Sequence, residues 1–158
     1  MPTQTAHVRV AAFADLDART FHDLLRLRID VFVVEQHCPY PELDGRDVEP
    51  GTRHLWLEHD GAVLAYLRIL ADPDGAARIG RVVVAPAARG GGHAGRLMTE
   101  ALRLVGDRPC VLEAQSYLVD FYARHGFAVT GAEYVEDGIP HVPMRRESRS
   151  GHPGDIDG

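Results

Sequence analysis

Apolar positions along the chain alternate between two spacings. Over residues 15–34, Phe21, Leu24, Leu25, Arg28 and Phe32 recur at steps of three and four, which predicts a helix with Asp15 or Asp17 as its candidate cap. Arg28 is the one charge on that face. Short β-branched or alternating runs predict strands over residues 8–13, 54–59, 62–70, 77–85 and 109–115. The turn Asp60-Gly61 joins the second and third as a hairpin, and Asp72-Pro73-Asp74-Gly75 leads into the fourth. A second helix, 92–105, is expected to bury Leu97, Ala101, Leu104 and Val105, and a third runs through Phe121, Tyr122 and Arg124 to a stop at Gly126. Strands near 127–130 and 141–145 complete the series. This order predicts an α/β fold: a mixed, largely antiparallel central sheet with helices on both faces.

Residues 1–147 of the 158 are expected to form a single domain behind a mobile start, and 148–158 lack core residues and are expected to be disordered. The segment 35–53 is polar and proline-rich; a connection of that length in a compact domain is more often functional than idle. A formal charge of −6 argues against a broad nucleic-acid-binding surface. The N-terminus has no apolar signal core and no run approaches membrane-spanning length, so a cytoplasmic protein is expected. Cys38 and Cys110 are far apart and read as two free thiols, with Cys38 a candidate nucleophile. None of the nine histidines forms a His-x-x-x-His group, and no metal is expected. Exposed strands and apolar loops are compatible with a homodimer.

The most informative stretch is Arg81-Val-Val-Val-Ala-Pro-Ala-Ala-Arg-Gly-Gly-Gly-His-Ala-Gly-Arg-Leu-Met98: a strand, a proline stop, three glycines and a helix. Helix-opening amides have no intrahelical partner, and glycines let a ligand come close to them. With the helix dipole and the flanking Arg89 and Arg96, such a turn suits phosphate. Val82, Val83 and Val84 would present a strand edge to the same ligand. A flexible turn with no ligand is the alternative. Gly90, Gly92 and Gly95 also satisfy the Rossmann spacing, with Glu113 near the expected acid, but a hairpin and several strands precede them and one βαβ-like unit follows. The triphosphate-binding Gly-x-x-x-x-Gly-Lys-Ser/Thr pattern is absent.

These residues resemble the GNAT acyl-CoA-dependent N-acetyltransferases. The family's Arg/Gln-x-x-Gly-x-Gly/Ala signature appears as Arg89-Gly90-Gly91-Gly92-His93-Ala94, and its aromatic pair before Gly-Phe as Phe121-Tyr122-Ala-Arg-His-Gly126-Phe127. The match is closer to the ElaA-like branch, through Val31-Phe-Val-Val-Glu-Gln36, Asp44-Gly45 and Gly138-Ile-Pro-His141. The resemblance implies a splayed sheet gripping coenzyme A, with the acceptor on the opposite side. It implies acetyl-CoA as co-substrate, held by residues 82–84, 89–96, Gln115 and Phe121. It also implies Tyr122 as general acid toward the departing sulfur, where the alternative is an aromatic packed in the core.

A lysine-like amine with a pKa of about 10.4 needs roughly 4–5 kcal/mol to be neutralised at pH 7, so a base is expected. Many family members carry an acid on the strand before the glycine turn, whereas here that strand offers Arg78 and Arg81. Glu113 is the first candidate base, on the same strand face as Gln115, with a salt bridge to an arginine as the equal alternative. Glu35, Asp44, His54 and His141 are further candidates on the acceptor side. Arg28, Arg68 and Arg81 would favour an anionic acceptor if they faced the cleft, and ion pairing among the many acids is the competing reading. Glu42, Asp44 and Asp47 would attract a cationic amine instead. Three functions are therefore carried forward: an N-acetyltransferase acting on a small-molecule or peptide amine, a non-catalytic acyl-CoA-binding module, and an acyl-homoserine-lactone-synthase-like enzyme, the last because Arg28-Ile-Asp-Val31-Phe32-Val-Val-Glu35 resembles that family's Arg-x-x-Val-Phe-x-x-Glu element.

Overall fold

The computed structural model describes residues 6–147; the expected mobile start and C-terminal tail lie outside the described residues. Eight strands form one sheet: β1 (His7–Ala11), β2 (Arg53–His59), β3 (Ala62–Ala71), β4 (Ala77–Val84), β5 (Cys110–Gln115), β6 (Ala128–Val129), β7 (Tyr134–Glu136) and β8 (Ile139–Arg146). Their spatial order is β1-β2-β3-β4-β5-β8-β6, with β7 paired to β8. Only β4 and β5 run parallel. Three α-helices accompany the sheet: α1 (Ala18–Arg28), α2 (His93–Val105) and α3 (Val119–Ala123).

Alternation along β2 and β3 sorts side chains to the two faces. Leu55, Leu57, Ala65, Leu67 and Ile69 meet α2 through Leu97, Met98, Ala101 and Val105. On the opposite face, Trp56, Tyr66 and Val83 meet Leu24, Leu27 and Val31. Asp60 and Gly61 both take positive φ, 49° and 77°, the requirement of a tight turn whose twist matches the flanking strands.

Both ends of the expected first helix shift. Asp17 is the cap of α1, accepting the Thr20 amide at 2.7 Å, while residues 13–15 form a separate 3₁₀ turn. Regular α-helix ends at Arg28 and continues as a π-helical stretch, Ile29–Glu35, where β-branched Ile29, Val31, Val33 and Val34 crowd the preceding turn. Leu104, expected inside, is 37% exposed, and Met98 is fully buried in its stead. At 100° per residue Leu104 sits about 75° from the centre of the Leu97–Met98–Ala101–Val105 stripe, beyond the covered width. Strand β7 was not expected, although Asp137-Gly138 repeats the Asp-Gly hairpin signal, again with positive φ of 50° and 78°.

Candidate functional site

Strands β4 and β5 pair at only two positions, Ala77 with Cys110 and Arg78 with Val111, and then separate. The wedge between them is a cleft of about 730 Å³, walled by Ile79 to Val84 on one side and by Leu112, Glu113 and Gln115 on the other. β4 remains bonded to β3 on its other edge as far as Val84. Beyond Arg78 its edge toward β5 therefore has no strand partner among the described residues.

A bulge on β4 follows the last β4–β5 pair. Between Gly80 and Val83, three steps along β4 match two along β3, and Arg81 takes φ of 55°, unusual for a side-chain-bearing residue. Its guanidinium is held on the connection 36–52: Nε donates to Glu42 Oε2 at 2.8 Å, Nη2 donates to the Glu42 carbonyl at 3.0 Å, and the group lies over the Tyr40 ring. Glu42 also accepts from Arg28 Nε at 2.7 Å and from the Tyr40 hydroxyl. Asp47 Oδ1 accepts from Arg28 Nη1 at 2.8 Å and from Arg68 Nη1 at 2.9 Å, and Asp44 takes the other side of Arg68. Three arginines thus meet three acids, and the polar connection is fastened to the sheet by charge.

This network corrects two expected site residues. Arg28 is 0% exposed and outside the cleft lining, because Glu42 and Asp47 occupy its donors. His54 is fully buried: Nε2 donates to the Asp47 carbonyl at 3.0 Å, which leaves Nδ1 to accept the Tyr66 hydroxyl at 2.6 Å. Burial pushes the His54 imidazole toward its neutral form. Ion pairing won for Arg68 and Asp44 too, although both still line the cleft. Arg68 holds the Asp44 carboxyl well below the usual carboxylate range despite burial, so Asp44 is a poor proton acceptor.

The remaining expected residues gather around the cleft. Val82, Val83, Val84, Glu35, Arg81, Arg89, Ala94, Glu113, Gln115, Phe121, Tyr122 and His141 all line it. At its α2 end, Gly90 and Gly92 take φ of 89° and 76°, and Gly92 caps the helix. A Cβ at either would meet nothing within 4 Å, so backbone conformation and open space for a ligand, rather than packing, call for glycine there. Gly91 differs, since a Cβ would approach His93 Nε2 to 2.8 Å. Gly90, Gly91, Gly92, His93, Gly95 and Arg96 belong to the same turn and helix opening but not to the cleft lining. Arg89 is engaged by Glu35 in a two-pronged ion pair at 2.8 and 2.9 Å, which lowers the glutamate's pKa.

Tyr122 is buried at 6% exposure, its ring edge-on to Phe121 and Phe127. Burial pushes its phenol far above the usual range, so it stays protonated. It packs in the core and also lines the cleft.

The opposite end of the cleft is closed by contacts the sequence did not reveal. Cys38 Sγ donates to the Asp137 carbonyl at 2.9 Å, bringing the 36–52 connection against the β7–β8 turn. Tyr134 of β7 stacks on His141 with centroids 5.7 Å apart and planes at 19°. Its hydroxyl faces Glu113, and burial together with that carboxylate pushes the phenol up to about 12. Glu113 itself is half-exposed, with Arg78 Nη1 at 3.7 Å.

A family model described as an acetyltransferase (GNAT) domain matches residues 20–148. A UPF0039 protein of Mycobacterium tuberculosis is 55% identical over 136 residues, covering 84% of this chain and 87% of the relative. Escherichia coli ElaA is 40% identical over 140 residues, covering 85% and 92%. The crystal structure of Escherichia coli ElaA superposes with a TM-score of 0.86 at 37% identity over 90% of this chain and 100% of that one. An acyl-CoA N-acyltransferase from Pseudomonas aeruginosa gives 0.83 at 44% identity over 89% and 99%. With the splayed β4–β5 pair and the glycine turn in place, this chain belongs to the GNAT acetyltransferase family, in its ElaA-like, UPF0039 branch.

Proposed function

We propose that this chain, as one domain over residues 1–147, transfers an acetyl group from acetyl-CoA to a primary amine by direct attack in a ternary complex. The observation that carries the reading is the parting of β4 from β5 immediately before the glycine turn that opens α2. The coenzyme's diphosphate fits the amides of residues 90–95, where positive φ at Gly90 and Gly92 turns the backbone outward into open space. Arg89 can exchange Glu35 for phosphate, one charge-assisted pair for another. The pantetheine amides then have the free edge of β4 at Val82 to Val84 to bond, as an added strand would. Gln115 and Phe121 supply the facing wall.

Acetyl-CoA supplies an activated thioester; this chain's residues orient it and move protons. The Tyr122 hydroxyl, protonated throughout the physiological range, is the donor to the departing sulfur. Because a thiol is a stronger acid than a phenol, this donation assists the departure without being obligatory. Glu113 and His141, paired strands apart on one wall, are the candidates to receive the amine proton. The acceptor binds on the side of the cleft away from α2, beside Glu113 and His141.

Titration calorimetry with acetyl-CoA, followed by thiol release across a panel of small and peptide amines, tests the reading. Saturable binding and amine-dependent thiol release are expected. No saturation at millimolar acetyl-CoA refutes it. Binding without release assigns a sensing module, and dependence on S-adenosylmethionine with an acylated carrier assigns a lactone-synthase-like reaction.

A further inference from the structure

Six proton-accepting side chains line the cleft: Glu35, Asp44, Glu113, Glu136, Asp137 and His141. Their surroundings separate them. Glu35 is paired with Arg89 at the phosphate end, and Asp44 is fixed between Arg68 and Arg81. Glu136 and Asp137 sit on the exposed rim of the β7–β8 turn. Glu113 is bracketed by the Arg78 guanidinium, at 3.7 Å, and the Tyr134 hydroxyl, so its carboxylate already has polar partners.

His141 differs in kind. Its Nδ1 lies 2.8 Å from the Ile139 carbonyl, and a carbonyl can only accept, so Nδ1 carries the ring proton. The neutral ring then presents Nε2 as its lone pair. Among the described residues Nε2 has no hydrogen-bond partner. The ring plane is fixed by stacking on Tyr134, and β8 places His141 opposite Gln115 across the β5–β8 ladder. A half-buried imidazole with one nitrogen pinned and the other open to the cleft has the arrangement of a general base.

We propose that His141 Nε2 is the proton acceptor for the amine, with Tyr134 and Glu113 as positioning residues; the inference rests on the acetyl-transfer reading above. The amine lone pair forms the new C–N bond at the thioester carbonyl, and the amine proton passes to His141 Nε2. The C–S bond breaks, the sulfur takes the electron pair and a proton from Tyr122, and solvent carries the proton from His141 back to Tyr122. One thioester and one amine give one amide and one thiol. The titratable groups facing His141 are Glu113 of β5, Tyr134 and Glu136 of β7, and Asp137 of the turn, with Arg78 of β4 behind Glu113.

The test compares the pH dependence of kcat/KM in the wild type, His141→Asn and Glu113→Gln, using the best amine of the panel. Asparagine keeps a donor near the Nδ1 position for the Ile139 carbonyl and removes Nε2. His141→Asn is expected to lower kcat about 100-fold, leave the KM for acetyl-CoA within about threefold, and lose the acid limb of the profile. Added imidazole should restore turnover in His141→Ala, and Glu113→Gln should keep the acid limb at a reduced rate. Circular dichroism and acetyl-CoA calorimetry on each variant confirm that it is folded. An acid limb that survives in an active, folded His141→Asn enzyme overturns this inference alone. A wild type that binds acetyl-CoA and acetylates no amine overturns both it and the transfer reading.

Discussion

Replacing Arg28 by methionine keeps most of the side chain's volume and removes its charge. The arginine is fully buried and makes three hydrogen bonds: to Glu42 Oε2 at 2.7 Å, to Asp47 Oδ1 at 2.8 Å and to the Glu42 carbonyl at 3.4 Å. It also lies 5.5 Å from the centre of the Tyr66 ring. Removing one member of a buried ion pair generally costs about 3–5 kcal/mol, because the partner's charge stays buried. Here both acids keep a second arginine, Glu42 through Arg81 and Asp47 through Arg68, which places the expected loss at the lower end, about 3 kcal/mol. For a domain of this size that corresponds to a fall in Tm of roughly 6–12 °C. Urea unfolding at pH 7 measures it. The sign of the pH dependence follows from Asp47, whose carboxyl the neighbouring arginines Arg28 and Arg68 hold below its ordinary value against burial. A depressed native pKa contributes stability that is complete above the unfolded carboxylate pKa of about 4 and is lost as pH falls through the native value. The variant has less of that contribution to lose, so the gap between the two proteins should narrow between pH 7 and about pH 3. A loss below about 1 kcal/mol, or a gap that does not change with pH, would show that the cluster does not hold the 36–52 connection in the way described.

Gly92→Ala forces a Cβ onto a residue at φ of 76° with no steric contact to relieve; at about 1–2 kcal/mol, acetyl-CoA binding should weaken roughly 5–30-fold, and calorimetry that shows unchanged affinity would discount the turn's conformation as a binding determinant. Tyr122→Phe should lower turnover about ten- to a thousandfold with little effect on acetyl-CoA affinity, as read by stopped thiol-release assays beside calorimetry. Equal single-turnover rates in the two proteins would leave Tyr122 a core aromatic and nothing more.

Elements with local causes were legible in the chain. Period-2 and period-3.6 patterns, the Asp-Gly turns and the glycine run located most strands, α2 and the glycine turn before it, because turn geometry and helix capping depend on neighbours a few residues apart. The signature residues from Arg89 to Ala94 and the Phe121-Tyr122 pair were legible for the same reason. The roles of the charged residues emerge from the folded arrangement instead. Arg28 and His54 look like site residues in the chain, yet Glu42 and Asp47, 14 and 19 positions beyond Arg28, bury it in ion pairs. The β4 bulge at Arg81 and the parting of β4 from β5 arise from packing between elements far apart in sequence. So does the meeting of Glu113, Tyr134 and His141, three residues from three strands. A charge finds its partner through space, and the local pattern carries no record of which acid will be nearest once the sheet has closed.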